Sequence, residues 1–389
     1  MAQAMIADAG GRTRAGLIAT AAAFGLTYGL SAPLIALELD ARGVSNLLIG
    51  ANAAMHAIGV LIIAPQLPHL VARLGLSRTA KLALVLAALL LAVFPFAIFL
   101  AAWFILRLGL GMASESLFVI SESWLSVTTD DRSRARTMGI YVAAMSGGIA
   151  LGPAILAVAG RSGTLPFFIG ALLALVALAI LVVTRPQEKP MPAPERGGMH
   201  EYFAMAPVAV AGSALNGAIE SAGLAFLPLY AIDLGWTESQ ATLLLTTLLV
   251  GAILMQLPVG WLGDRFSRNG LVQAFALISG LGALAWPMAM THPWLAWPLL
   301  FLWGGCFVGI YTLVLTNVGQ RFNGSELAGI FSAMSVAWGI GALTGPALAG
   351  AVMHFTGHGL PLMAAAMCLL FVLLCRVFDR PNSSVRPMP

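Results

Sequence analysis

The hexamer GIALGP, residues Gly148 to Pro153, recurs as GALTGP, Gly341 to Pro346, with an apolar run on either side of each copy. Glycines in such a run let helices approach closely, and each proline removes a backbone donor, so Gly148, Gly152, Pro153, Gly341, Gly345 and Pro346 read as a helix-packing motif used twice. Other features repeat at the same offset of about 192 residues: Gly43 with Gly235, and Arg73 with Arg265. Between the copies lies TRPQEKPMPAPERGGMHE, Thr184 to Glu201, the longest polar segment in the chain and rich in proline and charge. The expected organisation is therefore two related halves, 1–184 and 203–389, joined by a linker over 185–202.

Composition says what solvent these halves occupy. Of 389 residues, 59% are hydrophobic and 9% charged, and the mean hydropathy is +0.91; a soluble domain carries about 25% charge. Counting about 20 apolar residues per crossing gives twelve spans, near 15–39, 47–70, 80–98, 99–125, 137–160, 164–184, 203–232, 239–262, 270–290, 294–320, 327–355 and 359–378. The fold class is an all-α polytopic membrane protein of twelve transmembrane helices in two pseudo-symmetric six-helix bundles. The polar start, MAQAMIADAGGRTRAG, reads as preceding a retained first span and not a cleaved signal. Cys306, Cys368 and Cys375 have no paired spacing, so neither a disulfide framework nor a metal site is indicated.

The basic residues orient the chain. With the N-terminus inside, seventeen of the twenty fall on the cytoplasmic side: Arg12, Arg14, Arg73, Arg78, Lys81, Arg132, Arg134, Arg136, Arg185, Lys189, Arg196, Arg265, Arg268, Arg321, Arg376, Arg380 and Arg386. Arg42 and Arg161 fall outside, and Arg107 lies within the membrane. This bias puts both termini in the cytoplasm. It also explains the basic pI of about 9.3 without nucleic acid as a partner.

Against this apolar background, RLGLGMASESLFVISESWL, Arg107 to Leu125, carries three ionisable groups. On a helix centred near Met112, Arg107 lies roughly 7 Å toward the outside and Glu115 roughly 5 Å toward the inside, with Glu122 near the cytoplasmic boundary. Charges at such depth are costly unless they face a partner or a wet cavity, which marks Arg107 and Glu115 as substrate or proton-coupling candidates. The alternative for Arg107 is a fixed counter-ion, to Glu115 or to a neighbouring span. Glu122 is expected to pair with the basic loops around Arg73 and Arg132 to Arg136. Three more polar residues lie at similar depth in other spans: His56, Asn216 and Glu220. By the repeat offset, Glu220 corresponds to Tyr28.

GWLGDRFSRNG, Gly260 to Gly270, resembles the loop signature of the major facilitator superfamily; RLGLG, Arg107 to Gly111, is similar to its arginine-glycine motif, and GIALGP to the Gly-Pro motif of its drug antiporters. SESW, Ser121 to Trp124, is similar to a YcaD-like branch. The first-half loop departs from the signature, with Ala72 where the second half has Asp264. The resemblance implies that spans one, four and seven line a central cavity, which would gather Tyr28, Arg107, Glu115 and Glu220 around one aqueous site, with aromatic candidates Phe24, Phe118 and Phe226. Asp264, Arg265, Arg268, Arg73 and Glu122 would form a conformational latch.

The function these readings imply is secondary active transport of a small organic molecule across a bacterial inner membrane, by proton-coupled export. Uptake of an organic anion held by Arg107 is the alternative, and a membrane receptor or membrane-embedded enzyme the remaining ones. No Gly-rich loop followed by Lys and Ser or Thr is present, so an ion gradient or the substrate's own gradient must supply the energy, and no cofactor is implied. The expected partners are the substrate, protons and the lipid bilayer, with the chain a monomer.

Overall fold

The computed structural model describes residues 2–128, 131–161, 163–185, 199–322 and 324–378. Among the described residues twelve long helices carry the fold: α1 (Ala2–Ala41), α2 (Asn46–Leu74), α3 (Leu76–Phe96), α4 (Leu100–Thr128), α5 (Asp131–Ala159), α6 (Leu165–Thr184), α7 (Pro207–Asp233), α8 (Glu238–Arg265), α9 (Arg268–Leu284), α10 (Pro293–Arg321), α11 (Gly324–Phe355) and α12 (Gly359–Phe378). Eleven of these are long and apolar enough to cross a bilayer. The exception, α9, has 17 residues and gives way at Ala285 to the short helix Trp286–Ala289, where Pro287 lacks the donor that would continue the ladder. The expected span of 270–290 is thus a helix plus a broken turn. Most of the linker, and Lys189, Arg196, Arg380 and Arg386, lie outside the described residues, as do the side chains of Arg12, Arg132, Arg134 and Arg136.

Proline also breaks matching helices in the two halves. In α2 the α-helix ends at Ile63 and passes through the 3₁₀ turn Ala64–Gln66, which contains Pro65, before resuming at Leu67. In α8 it ends at Leu254 and resumes at Gln256, with Pro258 in the new first turn.

The repeated hexamer sits at two equivalent crossings. In the first half it packs α5 on α1, where a Cβ on Gly152 would run into the Gly29 backbone; in the second it packs α11 on α7, where a Cβ on Gly345 would run into the Ala218 backbone. Gly148 and Gly341 meet the backbones of Ala22 and Ala214 one turn earlier. Without a hydrophobic drive between helices in lipid, such backbone-to-backbone contact is what holds the pair together.

The halves meet along three seams: α1 with α7, α2 with α11, and α5 with α8. Hydrogen bonds and an ion pair join the two halves mid-molecule and at the end carrying Arg42, Arg161 and Glu238. The opposite end carries Arg73 and Asp264.

Candidate functional site

At mid-depth on the α1–α7 seam, four side chains from both halves enclose a small void. Tyr28 of α1, His56 of α2 and Arg107 of α4 line it with Ser221 of α7, closed by Ala32, Ala53, Ala57 and Ala342. The enclosed volume is about 10 Å³, room for roughly one water molecule. The Tyr28 hydroxyl and Ser221 Oγ lie 3.2 Å apart, a direct bond between the halves. The His56 ring packs on Tyr28 with centroids 5.0 Å apart. Phe24 stacks on Tyr28 at 6.2 Å and meets Phe118 at 5.4 Å, so an aromatic stripe leads from the void toward the Asp264 end. Phe226 is instead fully buried in the core of the second half.

Arg107 is the unusual member. It is 3% exposed and donates to Ser31 Oγ at 3.2 Å, while its Nε has no partner. Among the described residues no carboxylate lies within 4.0 Å of the guanidinium. The expected pairing with Glu115 does not form, because eight residues of helix separate the two by about 12 Å along the axis and about 80° around it. His56 is similarly buried at 7%, with Nδ1 unpartnered.

Glu220 precedes Ser221 on α7. Its carboxylate accepts from Asn216 Nδ2 at 3.0 Å and is reached by the Trp338 indole of α11. Tyr28 stands within electrostatic reach of both Glu220 and Arg107, and so bridges the acid of one half and the base of the other. Glu220 keeps some accessible surface, and so do Tyr311, Glu115, Phe118 and Glu122 as the wall continues toward the Asp264 end.

Glu115 does not join the central cluster. Its electrostatic neighbours are Glu122, two turns along the same face of α4, and Tyr141 of α5, which bonds Ser121 at 3.1 Å. No described basic group lies within 4.0 Å of Glu122, and Arg73 is exposed, so those two do not pair here. The loop residues stay within their own half. Arg268 reaches Asp264 at 3.6 Å and also bonds Gln320, Arg265 stacks over Trp261 at 4.0 Å, and the Asp264 side chain is 80% exposed.

The Arg161 end is tied shut. The Arg161 backbone N–H donates to Glu238 Oε1 at 2.7 Å, its Nε lies 3.1 Å from Glu238 Oε2, and its guanidinium also holds the Leu37 carbonyl at 3.1 Å. Ser239 donates to the Ala157 carbonyl at 2.7 Å. Sequence reasoning missed this lock and also Ser31, Ser221 and Trp338. The available signal for the lock was that Arg161 is one of only two basic residues assigned to that side. Among the described residues no group of His, Cys, Asp and Glu is arranged to hold a metal.

The family model of the Major Facilitator Superfamily matches residues 17–237 and 209–388. The chain belongs to the major facilitator superfamily. It is 23% identical over 372 residues to YfkF of Bacillus subtilis (strain 168), an uncharacterized MFS-type transporter, covering 92% of this chain and 93% of that one. It is also 23% identical over 348 residues to another, YcaD of Escherichia coli (strain K12 / DH10B), covering 88% and 89%. Among solved structures it resembles the nucleoside transporter NupG with a TM-score of 0.78 at 12% identity, over 95% of this chain and 99% of that one. This major facilitator is a multi-pass membrane transporter and not an enzyme.

Proposed function

We propose that this transporter moves a small organic molecule by alternating access, coupled to protons, with Glu220 as the proton carrier and Tyr28, Asn216, His56 and Arg107 around it. The observation that carries the reading is the placement of Glu220: an acid at mid-depth, beside a hydrogen bond that joins the halves in the membrane interior. A group at that seam changes its exposure when the halves rock, which is what a coupling group must do. The void holds about one water, so substrate enters as the halves part. Glu115 and Glu122 extend a wet wall from the seam toward the Asp264 end and serve as relay acids. The excess of basic residues makes that end cytoplasmic, with both termini on the cytoplasmic side of a bacterial inner membrane. On this reading the outer end is the closed one, and Asp264, whose described ion-pair partner Arg268 lies in its own half, crosses to the other half when the cytoplasmic side shuts.

Two directions compete. The likeness of GIALGP to the drug-antiporter motif favours export in exchange for protons; the buried, unpaired Arg107 favours uptake of an anion. Substrate-dependent proton flux in proteoliposomes tests the shared reading. A transporter of this kind moves protons when substrate is added, and a receptor or an enzyme does not.

A further inference from the structure

We infer that the substrate is an organic anion, a carboxylate on an apolar body, and that it binds together with the proton and not in exchange for it. This deepens the proposed function and rests on it. A guanidinium buried to 3% exposure in the membrane interior needs an anion, yet its described neighbours are the neutral Ser31 and Tyr28, the His56 ring and alanines, with no carboxylate within 4.0 Å. Its Nε is without a partner and His56 Nδ1 is too, both on side chains more than nine-tenths buried that line the void. Two unpartnered nitrogens on residues that line a space the size of one water, Arg107 Nε as donor and His56 Nδ1 as donor in its Nδ1–H tautomer, make a seat for a carboxylate oxygen as the halves part, and Arg is suited to hold both oxygens of such a group. The adjoining stripe of Phe24, Tyr28 and Phe118 is apolar and aromatic, which fits a hydrocarbon or aryl body.

Glu220 decides the sign of coupling. It precedes Ser221, which lines the void, and like Arg107 it stands within electrostatic reach of Tyr28. When ionised it partly compensates the guanidinium and repels an arriving carboxylate; when protonated it leaves Arg107 free to take one. Proton and anion therefore favour each other's binding, and by linkage each tightens the other by the same factor. A cation would do the opposite, competing with the proton for Glu220. With the proton gradient directed inward, co-binding makes the transporter an importer of anions.

The test uses the full-length protein in detergent, with benzoate, hexanoate and phenylpropionate as probes, and benzyl alcohol and benzylammonium as neutral and cationic counterparts of benzoate. Binding is read by thermal stability and calorimetry, and proton uptake by a pH dye in weak buffer. The expected result is saturable binding of at least one carboxylate with proton uptake on binding, and no binding of benzylammonium. Arg107→Lys should weaken carboxylate binding at least 10-fold while remaining folded by size exclusion. Glu220→Gln should retain binding and lose the proton uptake. Binding of benzylammonium with proton release, or failure of all three carboxylates, overturns the inference. So does carboxylate binding unchanged in Arg107→Lys. Those outcomes leave the proposed function standing if substrate-driven proton flux persists, whereas full gradient-driven transport by Glu220→Gln removes the proposed function itself.

Discussion

Replacing Glu238 with Gln should unlock the end of the molecule that Arg161 holds shut. The carboxylate accepts from the Arg161 backbone at 2.7 Å and from its side chain at 3.1 Å, joining the α5–α6 turn to the start of α8. Hydrogen bonds to charged groups contribute about 1.5–3 kcal/mol when sheltered. These side chains are 27% and 30% exposed, so solvent screening reduces that. The amide keeps one acceptor for the backbone N–H and loses the ionic attraction, which leaves a net loss of about 1–2 kcal/mol for the closed state, or about a 5- to 30-fold rise in the population open at that end. The assay is the rate at which a membrane-impermeant maleimide, added from the Arg161 side, labels a cysteine placed at Ala53, which lines the void, with Cys306, Cys368 and Cys375 replaced. An unchanged rate in Glu238→Gln would refute the lock. So would a double-mutant cycle with Arg161→Gln in which the two effects simply add.

Further outcomes follow from the same geometry. Asp40 and Asp233 lie close enough at that end to repel across the seam, so Asp40→Asn should slow the same labelling by about two-fold, opposite in sign to Glu238→Gln. Gly345→Val forces a branched side chain into the Ala218 backbone and should cost upwards of about 1–3 kcal/mol, visible as a lower melting temperature or loss of monodisperse protein. Asp264 is 80% exposed and among the described residues pairs with Arg268, so Asp264→Asn should leave melting within about 2 °C and substrate binding intact while changing the transport rate; lost binding with an unchanged conformational balance would count against a latch.

What the sequence made legible was whatever depends on the solvent and on small residues. Twelve apolar runs, their basic flanks and the doubled hexamer follow from the bilayer's demands, and Gly152 and Gly345 sit where glycine spacing required close approach. The site was legible only as a set of depths. Position within each span put His56 and Glu220 near the middle and Arg107 roughly 7 Å outward, and the repeat offset added Tyr28, but which face each takes depends on helix rotation, and rotation is fixed by packing. Glu115 shares α4 with Arg107, so their separation of about 12 Å and about 80° is fixed by spacing alone; that its face meets Tyr141 is set by packing. Ser221 and Ser31 escaped notice because a serine in a membrane helix ordinarily bonds back to its own turn, as Ser116 does to Met112 at 2.8 Å. The Arg161–Glu238 lock joins residues 77 apart, a pairing that no local pattern encodes.

The most direct test of Glu220 as the proton carrier is to measure gradient-driven transport and counterflow separately in proteoliposomes of Glu220→Gln, with Glu115→Gln alongside. The amide mimics the protonated acid, so Glu220→Gln should lose uphill transport yet keep counterflow exchange near the wild-type rate, while Glu115→Gln should slow transport and retain its dependence on the gradient. Full gradient-driven transport by Glu220→Gln would contradict the account.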